Sequence, residues 1–234
     1  MFDFSNTKFS IHRPISSYGK VQTLIRALIR NRDIVVGAII RNRGIFADRK
    51  MRGCYLDLGC GLNIGPDFCN LDYDWRPGVD ICWDVTRGLP FSNEYVGGIF
   101  TEHMLEHIAF GNALALLAEC RRILRVGGTL RIVVPDGELY LSEYAKHVAG
   151  STAHIPYSEY DASSFPFVTP IISVNRIFRN HGHQFIWDFE TLRLALLRAG
   201  FTTVKKRAWG EGDDPRLIRE TKHRRVESLY VEAT

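Results

Sequence analysis

The sequence predicts an α/β protein built on a doubly wound, mostly parallel sheet of seven strands. From residue 53 onward, short apolar runs alternate with segments of helical periodicity, and this alternation is typical of a parallel sheet with crossover helices. Several of these runs end in a glycine turn or an aspartate, at the edge where open α/β sheets bind ligands. The 234 residues are 45% hydrophobic and 24% charged, which is ordinary for one large globular domain.

The strands are predicted from apolar runs and from the breakers that follow them. In chain order they are Cys54–Leu58, Phe68–Asp72, Val79–Asp84, Val96–Phe100, Thr129–Val134, Thr202–Lys206 and Ser228–Glu232. Pro135 stops the fifth strand, because proline cannot donate a ladder hydrogen bond. Only the six residues LNIGPD separate Gly61 from Phe68. Parallel neighbours usually need a crossover of about a dozen residues, so this connection departs from simple alternation.

Two helices are predicted within the α/β region. The first follows the fourth strand, with Asn112 as its N-cap and Gly127 just past its end; its apolar face consists of Ala113, Leu116, Leu117, Cys120 and Leu124. The second begins after Asp188 and ends at Gly200. Between the fifth strand and this second helix, residues 136–187 form an insertion rich in aromatic side chains: Tyr140, Tyr144, Tyr157, Tyr160, Phe165, Phe167, Phe178, Phe185 and Trp187.

The chain divides into a basic helical extension, residues 1–52, and the α/β domain, residues 53–234. The extension holds 11 Lys and Arg against 3 Asp and Glu, and the domain holds 19 against 23. A mildly acidic domain argues against an extended nucleic-acid-binding face. Apolar residues recur at helical spacing from Val21 to Ile29. This amphipathic helix is expected to pack on its own domain, and peripheral contact with a membrane surface is the alternative.

The sequence predicts a cytoplasmic protein. The longest apolar run lies around Ile34–Ile40, far short of the roughly 20 residues of a membrane-spanning helix, and the opening MFDFSNTKFS lacks the apolar core of a signal peptide. The five cysteines contain no C-x-x-C pair. They are interpreted as small buried hydrophobic residues of a reducing compartment.

The glycine turn Asp57-Leu58-Gly59-Cys60-Gly61 predicts a close approach of the backbone to a ligand. A nicotinamide dinucleotide site would show G-x-G-x-x-G opening a helix, with an acidic residue about 20 positions further on. Here Asp72 follows Gly61 by 11 positions, and the glycine spacing differs. Asp72 and Asp84 end the second and third strands, where carboxylates can accept hydrogen bonds from ribose hydroxyls and an adenine amine. The pattern therefore favours a ligand with ribose and adenine but no phosphate.

Five segments, in this order, resemble class I S-adenosylmethionine-dependent methyltransferases. They are Tyr55–Gly61, Asn70–Asp72, Trp83–Phe91, Ile99–His107 and Arg122–Leu130, and the ending Arg198-Ala199-Gly200-Phe201 fits as well. The resemblance covers residues 54–134 and points to a small, type 11-like branch. It implies a Rossmann-like sheet with an antiparallel last strand, and S-adenosylmethionine as cofactor.

The resemblance also implies the cofactor-binding residues, which are Asp57, Gly59, Cys60, Gly61, Leu71, Asp72, Trp83, Asp84, Val85, Thr101, Glu102 and His103. Within this set, Gly59 and Gly61 would flank the methionine part, Asp72 would bind the ribose and Asp84 the adenine. Thr101, Glu102 and His103 would line the pocket.

Histidines are the candidate general bases for an oxygen or nitrogen acceptor. His103, His181 and His183 are predicted as catalytic, and His107 is a base or a structural residue. The spacing of His103 and His107 would put both on one helix face. No third ligand is evident beside that pair, so no metal site is predicted.

The predicted function is methyl transfer from S-adenosylmethionine to a small-molecule or saccharide-type acceptor, without a nucleic-acid or integral membrane partner. The alternatives are a transferase of the same fold that moves another group, and a non-catalytic binding module. The insertion 136–187 is expected to form a lid over the acceptor, with His181 or His183 near the methyl group. Alternatively, its aromatic residues build only a satellite core.

Overall fold

The computed structural model describes residues 28–29, 32–43, 53–156 and 167–234, and its centre is one seven-stranded sheet. The strands are β1 Tyr55–Leu58, β2 Phe68–Asp72, β3 Ile81–Cys82, β4 Val96–Glu102, β5 Leu124–Pro135, β6 Val204–Arg207 and β7 Ser228–Ala233. Their spatial order is β3-β2-β1-β4-β5-β7-β6. The pairings from β3 to β5 are parallel, whereas β7 runs antiparallel to both β5 and β6. The predicted Rossmann-like sheet with its antiparallel last strand is confirmed.

Five helices are described. They are α1 over residues 32–40, α2 Phe110–Ile123, α3 Gly137–Val148, α4 Pro170–Arg179 and α5 Phe189–Arg198. Short 3-10 turns lie at Val85–Arg87, Leu105–His107, Asn180–Gly182, Pro215–Leu217 and Lys222–Val226. The connection from β1 to β2 contains no helix. This agrees with the sequence, in which only six residues separate Gly61 from Phe68.

Several predicted boundaries are wrong. Helix α2 begins at Phe110 after Ala109, without a side-chain cap at Asn112, because the Phe110 ring packs on Phe185 at a centroid distance of 4.6 Å. β5 starts immediately after α2, so Gly127 lies inside the strand. The prediction for α5 is confirmed: Asp188 accepts a 2.8 Å hydrogen bond from Thr191 N–H.

The third strand is shorter than predicted, because the chain leaves the sheet after Cys82 and Asp84 caps the 3-10 turn that follows. The insertion contains helices α3 and α4, although the sequence suggested no clear helix there. Helix α3 forms because Asp136 caps its N-terminus, accepting a hydrogen bond from Leu139 N–H. Tyr157, Tyr160 and Phe165 lie outside the described residues. All five cysteines are free, and four are buried.

Alternate residues of the central strands face two different layers. On one side, Leu130, Ile132 and Val134 of β5 pack against the apolar faces of α2 and α5. Trp187 of the insertion belongs to this core and is fully buried. On the other side, a smaller cluster joins Val133 to the following residues: Tyr55, Phe100, Leu217 and Tyr230.

The second layer is formed largely by charged side chains of residues 208–227. Arg219 lies over the rings of Phe68 and Phe100, with its Cζ 4.2 Å and 5.4 Å from their centroids. Its Nη1 is 3.1 Å from a carboxylate oxygen of Asp57. Buried Arg131 donates hydrogen bonds to the carboxylates of Glu220 and Glu232. Ion pairs and cation–π contacts therefore cover much of this sheet face.

Residues 41–42, just after α1, dock on the sheet edge beside β3. Arg41 lies 3.8 Å above the Tyr73 ring and donates a 2.9 Å hydrogen bond to the Tyr73 carbonyl. Asn42 N–H donates to the Cys82 carbonyl, and its side chain accepts from Asp84 N–H at 2.9 Å. Of the predicted helix at Val21–Ile29, residues 21–27 lie outside the described part of the chain. Among the described residues, no helix is long and apolar enough to cross a membrane.

Candidate functional site

A cavity of about 510 Å³ opens at the carboxyl ends of β1 to β4. It is lined by Gly59, Gly61, Leu71, Asp72, Tyr73, Asp74, Trp83, Asp84, Val85, Thr86, His103, Met104, His107 and Ile108. The order of the strands reverses between β1 and β4, and such a switch point is where open α/β sheets bind ligands.

The glycine turn after β1 forms one wall of the cavity. Gly59 has a φ of +78°, and a Cβ there would lie 2.3 Å from Cγ of Met104; both the backbone and the packing therefore require glycine. Gly61 has a φ of +55°, and a Cβ there would meet nothing within 4 Å. The backbone at Gly61 consequently stays open to a ligand.

Asp72 is held at the end of β2 by backbone donors. One carboxylate oxygen accepts from Gly61 N–H and the other from Asp74 N–H, both at 2.8 Å. The Arg76 guanidinium lies 3.8 Å away. Since an ionised carboxylate offers about four lone-pair sites, Asp72 keeps acceptor capacity for the hydroxyls of a ligand.

The opposite wall combines an indole, aliphatic side chains and a second carboxylate. Trp83 Nε1 donates a 2.7 Å hydrogen bond to the Gly88 carbonyl, which fixes the ring. One oxygen of Asp84 accepts from Thr86 N–H at 3.0 Å and from its hydroxyl at 2.7 Å. The described lining contains three aspartates and neither Lys nor Arg. This charge distribution favours a cationic ligand over one that carries phosphates.

Eight of the twelve predicted cofactor residues line this cavity: Gly59, Gly61, Leu71, Asp72, Trp83, Asp84, Val85 and His103. The other four, Asp57, Cys60, Thr101 and Glu102, lie outside the lining. Sequence reasoning missed several lining residues, although Tyr73, Thr86 and Met104 directly follow predicted ones, and Asp74 follows Tyr73. Ile108 carried no comparable signal.

The contacts of Asp57 and Glu102 explain why these two residues do not line the first cavity. Asp57 is 2% exposed and pairs with Arg219 on the second sheet face. Burial raises the pKa of its carboxyl to about 7, although Arg219 opposes that shift. Glu102 accepts hydrogen bonds from the Thr221 N–H at 2.8 Å and from the Thr221 hydroxyl at 2.6 Å. Both carboxylates thus tie the 208–227 segment to the sheet.

A second cavity of about 400 Å³ adjoins the first and shares His103 and His107 with it. Its lining is polar and consists of His103, Glu106, His107, Pro135, Arg176, Ile177, Asn180, His181, His183, His223, Arg224 and Glu227. All four predicted or candidate histidines therefore meet at one place: His103, His107, His181 and His183. The end of α4 and residues 180–183 bring the insertion to this site.

His103 stands between the two cavities. Its backbone is left-handed, with a φ of +49°, and its Nε2 lies 2.8 Å from the Ser228 hydroxyl. Burial, reinforced by nearby Arg224, lowers the pKa of His103 to about 3. A neutral imidazole with such a pKa is a poor general base at neutral pH. The predicted helix face shared with His107 is wrong, because the turn at Leu105–His107 begins only after the left-handed residue.

His181 and His183 occupy the far wall of the second cavity. His181 is exposed and has a φ of +56°. His183 lies with its Nδ1 2.6 Å from the Ile177 carbonyl, and its ring meets the His107 ring edge-on at a centroid distance of 4.8 Å. His183 is therefore in contact with His107, which lines both cavities.

The topology and the glycine turn define a Rossmann-like protein with a ligand cavity at its switch point. Residues 60–132 match the methyltransferase domain family. This match confirms the predicted resemblance to class I S-adenosylmethionine-dependent methyltransferases.

Two of the solved structures to which the chain is similar are described as SAM-dependent methyltransferases. A SAM-dependent methyltransferase from Archaeoglobus fulgidus is 18% identical, with 91% of this chain and 98% of that chain covered and a TM-score of 0.47. A SAM-dependent methyltransferase from Thermotoga maritima, described as a possible histamine N-methyltransferase, is 15% identical, with 92% and 95% covered and a TM-score of 0.47. None of the curated proteins compared matches the sequence.

Proposed function

We propose that the protein transfers a methyl group from S-adenosylmethionine to a small-molecule or saccharide-type acceptor. The observation that carries this proposal is the pair of adjoining cavities, which share His103 and His107. The first has the carboxylates and the glycine turn of an adenosyl site. The second is polar and has room for an acceptor beside it.

The residues of the first cavity fit the cofactor chemically. Asp72 is placed to accept the ribose hydroxyls, and Asp84 the adenine amine, while Leu71, Trp83 and Val85 supply apolar surface for the ring. A sulfonium carries a positive charge, which suits a described lining with three aspartates and neither Lys nor Arg. When bound, the cofactor supplies an already activated methyl group.

Because the methyl donor is activated, the protein mainly has to position the acceptor and exclude water. His103, neutral and held toward Ser228, is suited to orienting groups at the junction of the cavities. His181 and His183 remain the proposed catalytic histidines, on the wall that the insertion contributes. In support of the lid hypothesis, five residues of that insertion line the second cavity: Arg176, Ile177, Asn180, His181 and His183. Trp187 and Tyr140 instead belong to buried cores.

Transfer of label from methyl-labelled S-adenosylmethionine tests this proposal. Panels of saccharides and of small hydroxyl or amine compounds are incubated with the protein, and label in the acceptor is measured with S-adenosylhomocysteine release. We expect equal amounts of labelled acceptor and S-adenosylhomocysteine. Transfer of another part of the cofactor would establish a different transferase, and cofactor binding without any transfer across the panels would favour a binding module.

Asp84→Asn is expected to weaken binding of S-adenosylhomocysteine about tenfold, because the amide can present a donor to the adenine amine. The amide oxygen can still accept from Thr86 N–H, so the 3-10 turn and the melting temperature should be preserved. Titration calorimetry and thermal unfolding of the unliganded protein measure the two effects. A large fall in melting temperature without ligand would show that Asp84 is structural instead.

A further inference from the structure

We propose that Glu106, His107 and His183 form a binding site for a divalent transition-metal ion, with Zn²⁺ the best match, in the wall of the second cavity. Each residue offers one ligand atom, and these atoms all lie within 4.8 Å of one another. Two imidazoles and one carboxylate are a ligand set of catalytic zinc sites, in which the fourth position stays open.

The Glu106 side chain is the independent observation that points to a ligand. It is fully buried yet lines the cavity, and neither carboxylate oxygen has a hydrogen-bond partner among the described residues. The nearest described ring nitrogen, Nδ1 of His103, is 3.4 Å from Oε1. Buried polar atoms are nearly always satisfied, so an orphaned carboxylate beside two imidazoles is explained by a cation.

The two chain segments that carry the ligands are already tied together. Backbone N–H groups of Gln184 and Phe185 donate to the Glu106 carbonyl at 2.8 Å and 3.2 Å. The Gln184 side chain also donates to the His107 carbonyl at 2.8 Å. These bonds hold residue 183 against the turn at Leu105–His107, so little chain entropy is lost when a metal ion is bound.

The orientation of His183 matches that of a metal-binding histidine. Its Nδ1 lies 2.6 Å from the Ile177 carbonyl, so the proton is on Nδ1 and Nε2 is left to bind a cation. Metal-ligating histidines usually donate their other ring N–H to such a carbonyl. Ligand atoms of a tetrahedral zinc lie about 3.4 Å apart, from bond lengths of about 2.0–2.2 Å. Since the three ligand atoms lie within 4.8 Å of one another, each pair needs to approach by up to about 1.4 Å.

The open position of this ion would face the acceptor cavity. A divalent ion there would bind a hydroxyl oxygen of the acceptor and make that hydroxyl more acidic. This consequence rests on the proposed methyltransferase function, whereas the metal site itself does not. It implies that the acceptor is an oxygen nucleophile, as in a saccharide.

Metal binding is tested on the full chain after EDTA treatment and removal of the chelator, without S-adenosylmethionine. Calorimetric titration with ZnCl₂ is expected to show one ion per chain. Glu106→Gln and His183→Ala should each weaken Zn²⁺ binding by at least about 100-fold, because each removes one of three ligands. His147→Ala, which removes an exposed histidine of α3, should bind Zn²⁺ like the wild type.

Absence of stoichiometric Zn²⁺ binding would overturn the site, as would binding that neither ligand variant weakens. Thermal unfolding of the metal-free variants shows whether each one is folded. Should Glu106→Gln fail to fold, His183→Ala still tests the site, because His183 is only half-buried. S-adenosylhomocysteine titration of the same metal-free samples separates the two proposals. If the protein binds S-adenosylhomocysteine but not Zn²⁺, the metal-site proposal is wrong and the proposed cofactor site is unaffected.

Discussion

Replacing Arg131 by methionine is expected to lower the free energy of unfolding by about 3–5 kcal/mol. Arg131 has no exposed surface, and it donates to Glu220 Oε1 at 2.8 Å, to Glu232 Oε1 at 2.9 Å and to the Glu211 carbonyl at 2.7 Å. The substitution leaves the buried Glu220 carboxylate without its cation, whereas Glu232 keeps its ion pair with Arg207. Urea unfolding followed by circular dichroism measures the change.

Lys205→Met is the matched control, because it removes a cation from the same sheet at an exposed position. Its ion pair with Asp213, at 2.8 Å, is about half exposed on both sides, and such pairs contribute little. We expect a change within about 0.5 kcal/mol. Equal losses in the two variants would show that the buried network around Arg131 does not hold the 208–227 segment on the sheet.

Asp72→Ala is expected to weaken S-adenosylhomocysteine binding by about 1.5–3 kcal/mol, or roughly 10- to 150-fold, through loss of charge-assisted hydrogen bonds to the ribose. The carboxylate is already oriented by Gly61 and Asp74 N–H groups, so it is ready to accept hydroxyls without rearrangement. Titration calorimetry at constant ionic strength measures the loss.

Asp67→Ala controls for charge, because this exposed aspartate precedes β2 and lies outside the cavity. It should bind S-adenosylhomocysteine like the wild type. Melting temperatures of both unliganded variants separate lost affinity from lost structure. If a folded Asp72→Ala protein binds as tightly as the wild type, the ribose assignment is wrong.

The sheet could be predicted from the sequence because each strand is a local apolar run with its own terminator. β2 matches its predicted bounds, and Asp188 caps α5 as expected. The start of α2 could not be predicted, since it depends on Phe110 packing against Phe185, a residue from the distant insertion. The charged segment 208–227 resembles an exposed loop in sequence. Its ion pairs with Asp57 and Arg131, its hydrogen bonds to Glu102 and the burial of Leu217 bring it onto the sheet.

The candidate site likewise contains residues that the local sequence could predict and residues that depend on contacts between distant segments. Asp72 and Asp84 could be predicted as site residues because they lie at the end of β2 and just beyond β3, and parallel strands bring their carboxyl ends to one edge of the sheet. The second cavity could be predicted only in part from the sequence, because it forms where the turn at Leu105–His107 meets residues 180–183. The third member of the Glu106, His107 and His183 group lies far along the chain, so the pattern of His103 and His107 alone indicated no metal site.

Calorimetric titration of the purified full chain with S-adenosylhomocysteine, alongside NADH, tests the central claim that the first cavity is an adenosyl cofactor site. The structure predicts saturable binding of one S-adenosylhomocysteine per chain and no binding of NADH, because the described lining has three aspartates and neither Lys nor Arg. Absence of S-adenosylhomocysteine binding by the folded protein, or equally tight binding of NADH, would contradict the claim.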